Sequence, residues 1–116
     1  MINSEEIRTY CLQKNSVSEG FPFDNTTLVF KVHRKIFALC SLSDPLSINL
    51  KCDPEKALEY REEFSFVKPG YHMNKKHWNT IIITSSLSKE LLFQWIDESY
   101  RLVFNGLSAK LRNTSK

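Results

Sequence analysis

Glycine is scarce in this chain. Gly20, Gly70 and Gly106 are the only three, and none lies near another. A phosphate-cradling P-loop and a G-x-G-x-x-G dinucleotide turn both need clustered glycines, so neither is present. Cysteine is limited to Cys11, Cys40 and Cys52, an odd number with no C-x-x-C spacing. That argues against a disulfide framework and fits a reducing compartment, with the three thiols acting as small buried hydrophobes. No apolar run approaches the roughly 20 residues of a membrane span. The first residues, Met1 to Glu6, lack the basic-then-apolar pattern of a secretory signal. The chain is therefore expected in the cytoplasm, with no membrane partner. Acid is missing too: no carboxylate lies between Phe64 and Ser88.

What remains is the composition of an ordinary folded domain. The chain has 116 residues, 41% hydrophobic and 25% charged, which suits one domain with a real core and argues against disorder. Residues 1–116 are read as that single domain, with 106–116 as a basic, flexible tail carrying Lys110, Arg112 and Lys116. Eight Phe, four Tyr and two Trp can fill much of a core this small. The formal charge of +3 permits an anionic partner without demanding one.

Local signals give an order of elements. Asn3 caps a first helix, with Glu6 reaching back and Ile2 and Ile7 as a staple. Ile7, Tyr10 and Cys11 are its apolar face, and Gly20 and Pro22 close the loop after it. Leu28 to His33 alternates as a strand, Arg34-Lys35 turns, and Ile36 to Leu42 and Ser47 to Lys51 follow as strands around an Asp44-Pro45 turn. Asp53-Pro54-Glu55 opens a second helix with face Ala57, Tyr60 and Phe64. The chain then extends through Phe66 to a Pro69-Gly70 turn, and Trp78 to Thr84 is a further strand. Ser88 caps the last helix, stapled by Leu87 and Leu92, with a stripe of Leu92, Trp95, Ile96, Ser99, Leu102 and Val103 that Gly106 ends. The order is α-β-β-β-α-β-β-α. It predicts an α+β two-layer sandwich: a mostly antiparallel sheet with helices on one face.

No catalytic constellation is visible. A G-x-S-x-G elbow is lacking. The pairs Glu5-Glu6, Glu62-Glu63 and Asp97-Glu98 lie on helices and read as solvated faces. His72 and His77 are five apart and His33 is remote; without a neighbouring carboxylate they predict no metal site, and no cofactor is implied.

The distinctive feature is the stretch from Lys68 to Asn79, with three lysines, two histidines and no acid, bracketed by Tyr71 and Trp78. Lysines neutralise phosphates, aromatic rings stack on bases, and Asn74 and Asn79 suit phosphates, sugars or base edges. Lys31, Arg34 and Lys35 can extend a positive face. The competing reading is a solvated loop beside a core tryptophan.

Pro69-Gly70-Tyr71-His72-Met73-Asn74-Lys75-Lys76-His77-Trp78-Asn79-Thr80 resembles the central motif of the MmcQ/YjbR-like family of small bacterial proteins. The resemblance extends to Asn49-Leu50-Lys51-Cys52-Asp53-Pro54, Pro22-Phe23-Asp24 and Ser99-Tyr100-Arg101-Leu102-Val103. Asp24 departs from it, standing where the family often has glycine. The resemblance implies a CyaY-like α+β sandwich, also described as a double wing, and a DNA-binding role. Its carried-over residues are Lys51, His72, Asn74, Lys75, Lys76, His77 and Trp78. A CyaY-like fold does not import iron binding here, because the acidic ridge is absent. The leading expectation is a monomeric nucleic-acid-binding module, for DNA, using Lys51, Lys75 and Lys76 on the backbone. The alternative is a domain for an acidic protein or a small anion, and a third reading is an enzyme of unknown type.

Overall fold

A computed structural model describes residues 1–114; Lys116 lies outside the described residues. The elements are α1 (Ser4–Leu12), β1 (Val17–Gly20), β2 (Thr27–Val32), β3 (Lys35–Ser41), β4 (Ser47–Lys51), α2 (Pro54–Glu63), β5 (Val67–Pro69), β6 (Trp78–Ile82), α3 (Lys89–Asn105) and α4 (Ala109–Thr114). One six-stranded sheet runs β1-β2-β3-β4-β6-β5, antiparallel throughout. The α+β class with helices against an antiparallel sheet is as expected.

The helix starts form as their sequences dictate. The Asn3 side chain accepts from the Glu6 N–H at 2.8 Å, and Glu6 returns the bond to the Asn3 N–H at 3.2 Å. Asp53 caps α2 with Pro54 in its first turn, and Ser88 caps α3 by accepting from the Leu91 N–H at 3.1 Å. α1, α2 and α3 pack on one face of the sheet. There Leu28, Phe30, Val32, Ala38, Cys40, Ile48, Leu50 and Ile81 meet Ile7, Cys11, Leu92 and Ile96. A small second cluster of Val29, Leu39 and Trp78, flanked by Ile36 and Met73, lies on the other face.

Ser99 shows why a hydroxyl belongs in the α3 stripe. The register shifts between Phe30 and Lys31, so Phe37 has no partner on β2. The fully buried Ser99 Oγ donates to the Phe37 carbonyl at 2.6 Å and accepts from the Lys51 N–H at 2.8 Å, stitching two strands to the helix.

Several local expectations change. β1 is an extra strand: Val17-Ser18-Glu19-Gly20 has one apolar residue and no strand signature, yet it pairs along β2, and Arg8 of α1 grips Glu19 at 2.7 Å. α4 forms within the expected tail, its Leu111 N–H meeting Ser108 Oγ at 3.3 Å. The β2–β3 turn falls on His33-Arg34 rather than Arg34-Lys35, with φ of 47° and 72°, the left-handed pair of a type I′ hairpin. Leu102 is 39% exposed at the margin of its stripe. Asp97 and Glu98 are not a solvated pair. Asp97 accepts from Tyr10 Oη at 2.7 Å and from Lys14, and Glu98 accepts from Tyr60 Oη at 3.1 Å. All three thiols are free and buried. Burial pushes the Cys11 and Cys40 thiols up to about 12 and Cys52 to about 11.

Candidate functional site

Three strand lysines, Lys31, Lys51 and Lys68, project from the face of the sheet without helices. Strand alternation assigns each side chain to a face. Ile48 and Leu50 of β4 enter the helix-side core, so Ser47, Asn49 and Lys51 point the other way. Their partners Ile82, Thr80 and Trp78 on β6 share that face. So does Lys68, opposite Thr80, and so does Lys31, opposite Ile36. Lys51 and Trp78, distant in sequence, are therefore cross-strand neighbours.

The connection from β5 to β6 is a closed hairpin loop. Its neck is the Gly70 N–H bonded to the Trp78 carbonyl at 2.9 Å. A Cβ on Gly70 would lie 2.8 Å from both the Trp78 Cβ and its carbonyl oxygen, so this strand crossing requires glycine. The loop divides at Asn74. Its first part, Tyr71 to Met73, folds over the open face, where Met73 packs on the Trp78 cluster. Its second part is a compact turn: Asn74 Oδ1 accepts from the Lys76 N–H at 2.9 Å, and the Asn74 carbonyl accepts from the Trp78 N–H at 3.0 Å. Arg61 of α2 clamps it from the helix side, bonding the Lys75 carbonyl and, at 2.6 Å, Asn79 Oδ1.

The seven residues singled out in the sequence divide accordingly. His72, Asn74, Lys75 and Lys76 are exposed, while Lys51 and His77 are half-buried. Lys75 Nζ rests 3.2 Å from the Gly70 carbonyl and meets no carboxylate. Trp78 is 9% exposed and packs beneath the loop against Val29 and Leu39. Of the two rings bracketing the motif, Tyr71 is the outward one at 68% exposure. Asn79 is not a contact residue: it is buried on the helix side, where its Nδ2 donates to the Ala57 carbonyl at 3.2 Å and its Oδ1 holds Arg61.

Two residues that sequence reasoning left aside hold Tyr71 in place. Thr80 Oγ1 accepts from the Tyr71 N–H at 2.9 Å, Asn49 Nδ2 donates to the Tyr71 carbonyl at 3.3 Å, and Thr80 Oγ1 donates to Asn49 Oδ1. Asn49 and Thr80 are register partners, so this network exists only once β4 and β6 pair. Both sit inside the quoted motifs, which was the one available signal. Next to Tyr71, His72 has φ of 58°, a left-handed backbone that a non-glycine residue adopts only under constraint, and its ring lies 4.0 Å from the Tyr71 ring.

Tyr71, His72 and Met73 form one wall of a trench on the open face. The other wall is Phe23 and Asp24, from the β1–β2 connection. The cavity measures about 420 Å³, within the usual range for ligand pockets. Asp24 shapes its loop by accepting from the Thr26 and Thr27 N–H groups at 2.9 and 2.7 Å, and these bonds hold its carboxyl below the ordinary range.

Acid is concentrated away from the open face. Apart from Glu19, Asp24 and Asp44, every acid sits on or caps a helix. Among the described residues the ion pairs join Arg8, Lys14, Lys56 and Lys89 to carboxylates. Lys31, Lys51, Lys68, Lys75 and Lys76 take part in none of them. No group of three His, Cys, Asp or Glu side chains among the described residues is placed to hold a metal ion, and no described helix is long and apolar enough to cross a membrane.

Known proteins resemble this chain along most of its length. A family model described as YjbR matches residues 12–102. An uncharacterized protein YbdF of Escherichia coli O157:H7 is 39% identical over 107 residues, covering 91% of this chain and 88% of that one. An uncharacterized protein YjbR of Escherichia coli strain K12 is 30% identical over 108 residues, covering 92% of each. The crystal structure of a Deinococcus radiodurans protein with a DUF419 domain superposes with a TM-score of 0.90 at 36% identity, covering 98% of this chain and 88% of that one.

Proposed function

The chain belongs to the YjbR family, and from that premise we propose that it is a nucleic-acid-binding module that meets DNA with the helix-free face of its sheet. The observation that carries this reading is the unpaired positive charge there. Lys51 and Lys68 on the strands, Lys75 and Lys76 in the loop, and Lys31 on β2 have no carboxylate partner and no acid in the adjoining stretch 65–87. Lysines left free in this way release counterions when they meet phosphates, which gives affinity without sequence preference. Lys51, Lys75 and Lys76 make the phosphate contacts. The exposed His72 and Asn74 and the half-buried His77 add hydrogen bonds to phosphate or sugar. Trp78 contributes from below, as the support on which Met73 and the loop rest.

The test is fluorescence anisotropy of a labelled DNA duplex across a salt series. Wild-type affinity is expected to fall steeply as salt rises. In a Lys75→Ala, Lys76→Ala double variant, the slope of log affinity against log salt is expected to shrink by about 1.8, two phosphate contacts' worth. A double variant that binds like wild type at every salt concentration overturns the role given to the loop. A wild-type protein that binds no DNA even at low salt, but captures an acidic protein or small anion through the same lysines, overturns the nucleic-acid reading.

A further inference from the structure

The trench has a chemistry that phosphate binding does not use. No lysine or arginine lines it, and its one carboxylate, Asp24, is occupied by its own turn. A phosphate has no lysine or arginine to meet inside. The floor is neutral and hydrogen-bonding: the hydroxyls of Ser41 and Ser47 and the amide of Asn49 project from β3 and β4. Ser41 and Ser47 are register partners, so their hydroxyls stand side by side. Neither has a side-chain partner among the described residues, and a hydroxyl both donates and accepts.

The walls are aromatic. Phe23 is 65% and Tyr71 68% exposed, unusual for large rings with no partner in the molecule's own core. They rise from different connections, Phe23 from that between β1 and β2 and Tyr71 from that between β5 and β6. Tyr71 is fixed for the purpose. Thr80 and Asn49 bind its peptide on both sides, and the His72 ring lies against it at a 48° tilt. A ring carried on a backbone anchored at both its N–H and its carbonyl loses less freedom when something stacks on it.

We propose that this trench receives a single unpaired nucleobase, stacked on Tyr71 with Phe23 closing the far side and its polar edge read by Ser41, Ser47 and Asn49. This deepens the nucleic-acid reading and rests on it for the strand; the ring chemistry itself is equally that of a free nucleoside. In an intact duplex the faces of the bases are covered by their neighbours, so the trench fills only with a single strand or an extruded base. Lys51 and Lys68, on the same face, then flank the trench where the adjoining phosphates run.

The test compares adenosine, single-stranded oligo(dA), oligo(dT) and a blunt duplex of matched length. Binding is followed by anisotropy and by amide shifts in the ¹⁵N-labelled protein. Single strands are expected to bind more tightly than duplex and, like adenosine, to shift the amides of Ser47, Asn49, Tyr71 and Thr80. Tyr71→Ala is expected to weaken single-strand binding about tenfold or more, Tyr71→Trp to retain it, and duplex binding to change little in either. Because Tyr71 is exposed, the variants should fold, which the thermal midpoint checks. Equal affinity for single strand and duplex, unchanged by Tyr71→Ala, overturns the trench inference while leaving the phosphate-binding face intact. Adenosine binding that Tyr71→Ala abolishes, with no binding of any strand, upholds the base site and overturns the nucleic-acid reading instead. An absence of amide shifts in the trench with every ligand overturns the base site outright.

Discussion

On the helix side of the sheet, Arg8, Lys14, Lys56 and Lys89 each meet a carboxylate, and Ile7, Phe30, Leu92 and Ile96 are sealed from water. On the other side, Lys31, Lys51 and Lys68 and the loop lysines meet no acid, and only Val29, Leu39 and Trp78 are buried. The same six strands supply both faces, so the contrast comes from what each face packs against. Surface ion pairs are worth about 0–1 kcal/mol apiece, so the helix side is held by its apolar burial far more than by its charges. The open side contributes little burial and leaves its charges and two aromatic rings available to a partner. Stability thus resides on one surface of the sheet, and the proposed function puts recognition on the other.

The strongest way to break this contrast is to disturb each side in turn. Phe30→Ala empties a fully buried site on the helix side and should cost about 3–5 kcal/mol in urea unfolding. Gly70→Ala acts on the open side, forcing a Cβ against Trp78, and should cost about 1–3 kcal/mol. If Gly70→Ala proved as damaging as Phe30→Ala, the loop would be as integral to the fold as the core.

Alkaline titration sharpens the same comparison. Burial raises the Cys11 and Cys40 thiols to about 12 in the folded protein, against about 8.5 in an unfolded chain. The folded state then keeps protons that the unfolded state has lost. This stabilisation is complete below about pH 8.5 and disappears as pH rises from there towards 12. The thermal midpoint should fall over that window, with a shallower slope in Cys40→Ala. A flat profile up to pH 11 would contradict the burial of these thiols. The smallest stability effect is expected from Lys75→Ala with Lys76→Ala. It should shift unfolding by less than about 0.5 kcal/mol, since both side chains are exposed and neither has an ion-pair partner. A larger loss would make these lysines structural.

Local chemistry made the helix layer legible in advance. Asn3 with Glu6, Asp53-Pro54 and Ser88 announce helix starts through bonds spanning only three residues or so, and they form as read. β1 was not legible, because Ser18, Glu19 and Gly20 have little strand preference of their own and are recruited by β2 and by Arg8. The basic loop was visible as a run of residues, but its division at Asn74 was not. That division depends on Arg61 reaching across from α2 and on Met73 finding Trp78, both contacts made only in the folded chain. The hold of Asn49 and Thr80 on Tyr71 likewise needs the register of two strands 31 residues apart at that point. Asn79 looked like part of the basic motif because it adjoins it, yet alternation turns it to the opposite face from Trp78.

The chain's two tryptophans fall one to each side. Trp95 stands in α3 with its ring 4.9 Å from Tyr60 and 5.3 Å from Phe64, while Trp78 lies under the loop against Val29 and Leu39. The protein therefore carries two intrinsic optical probes in separate compartments. With Trp95 replaced by Phe, the remaining tryptophan emission comes from beneath the loop and should respond when the packing of Met73 above it changes. With Trp78 replaced by Phe, it comes from the helix layer and should respond only when the domain melts.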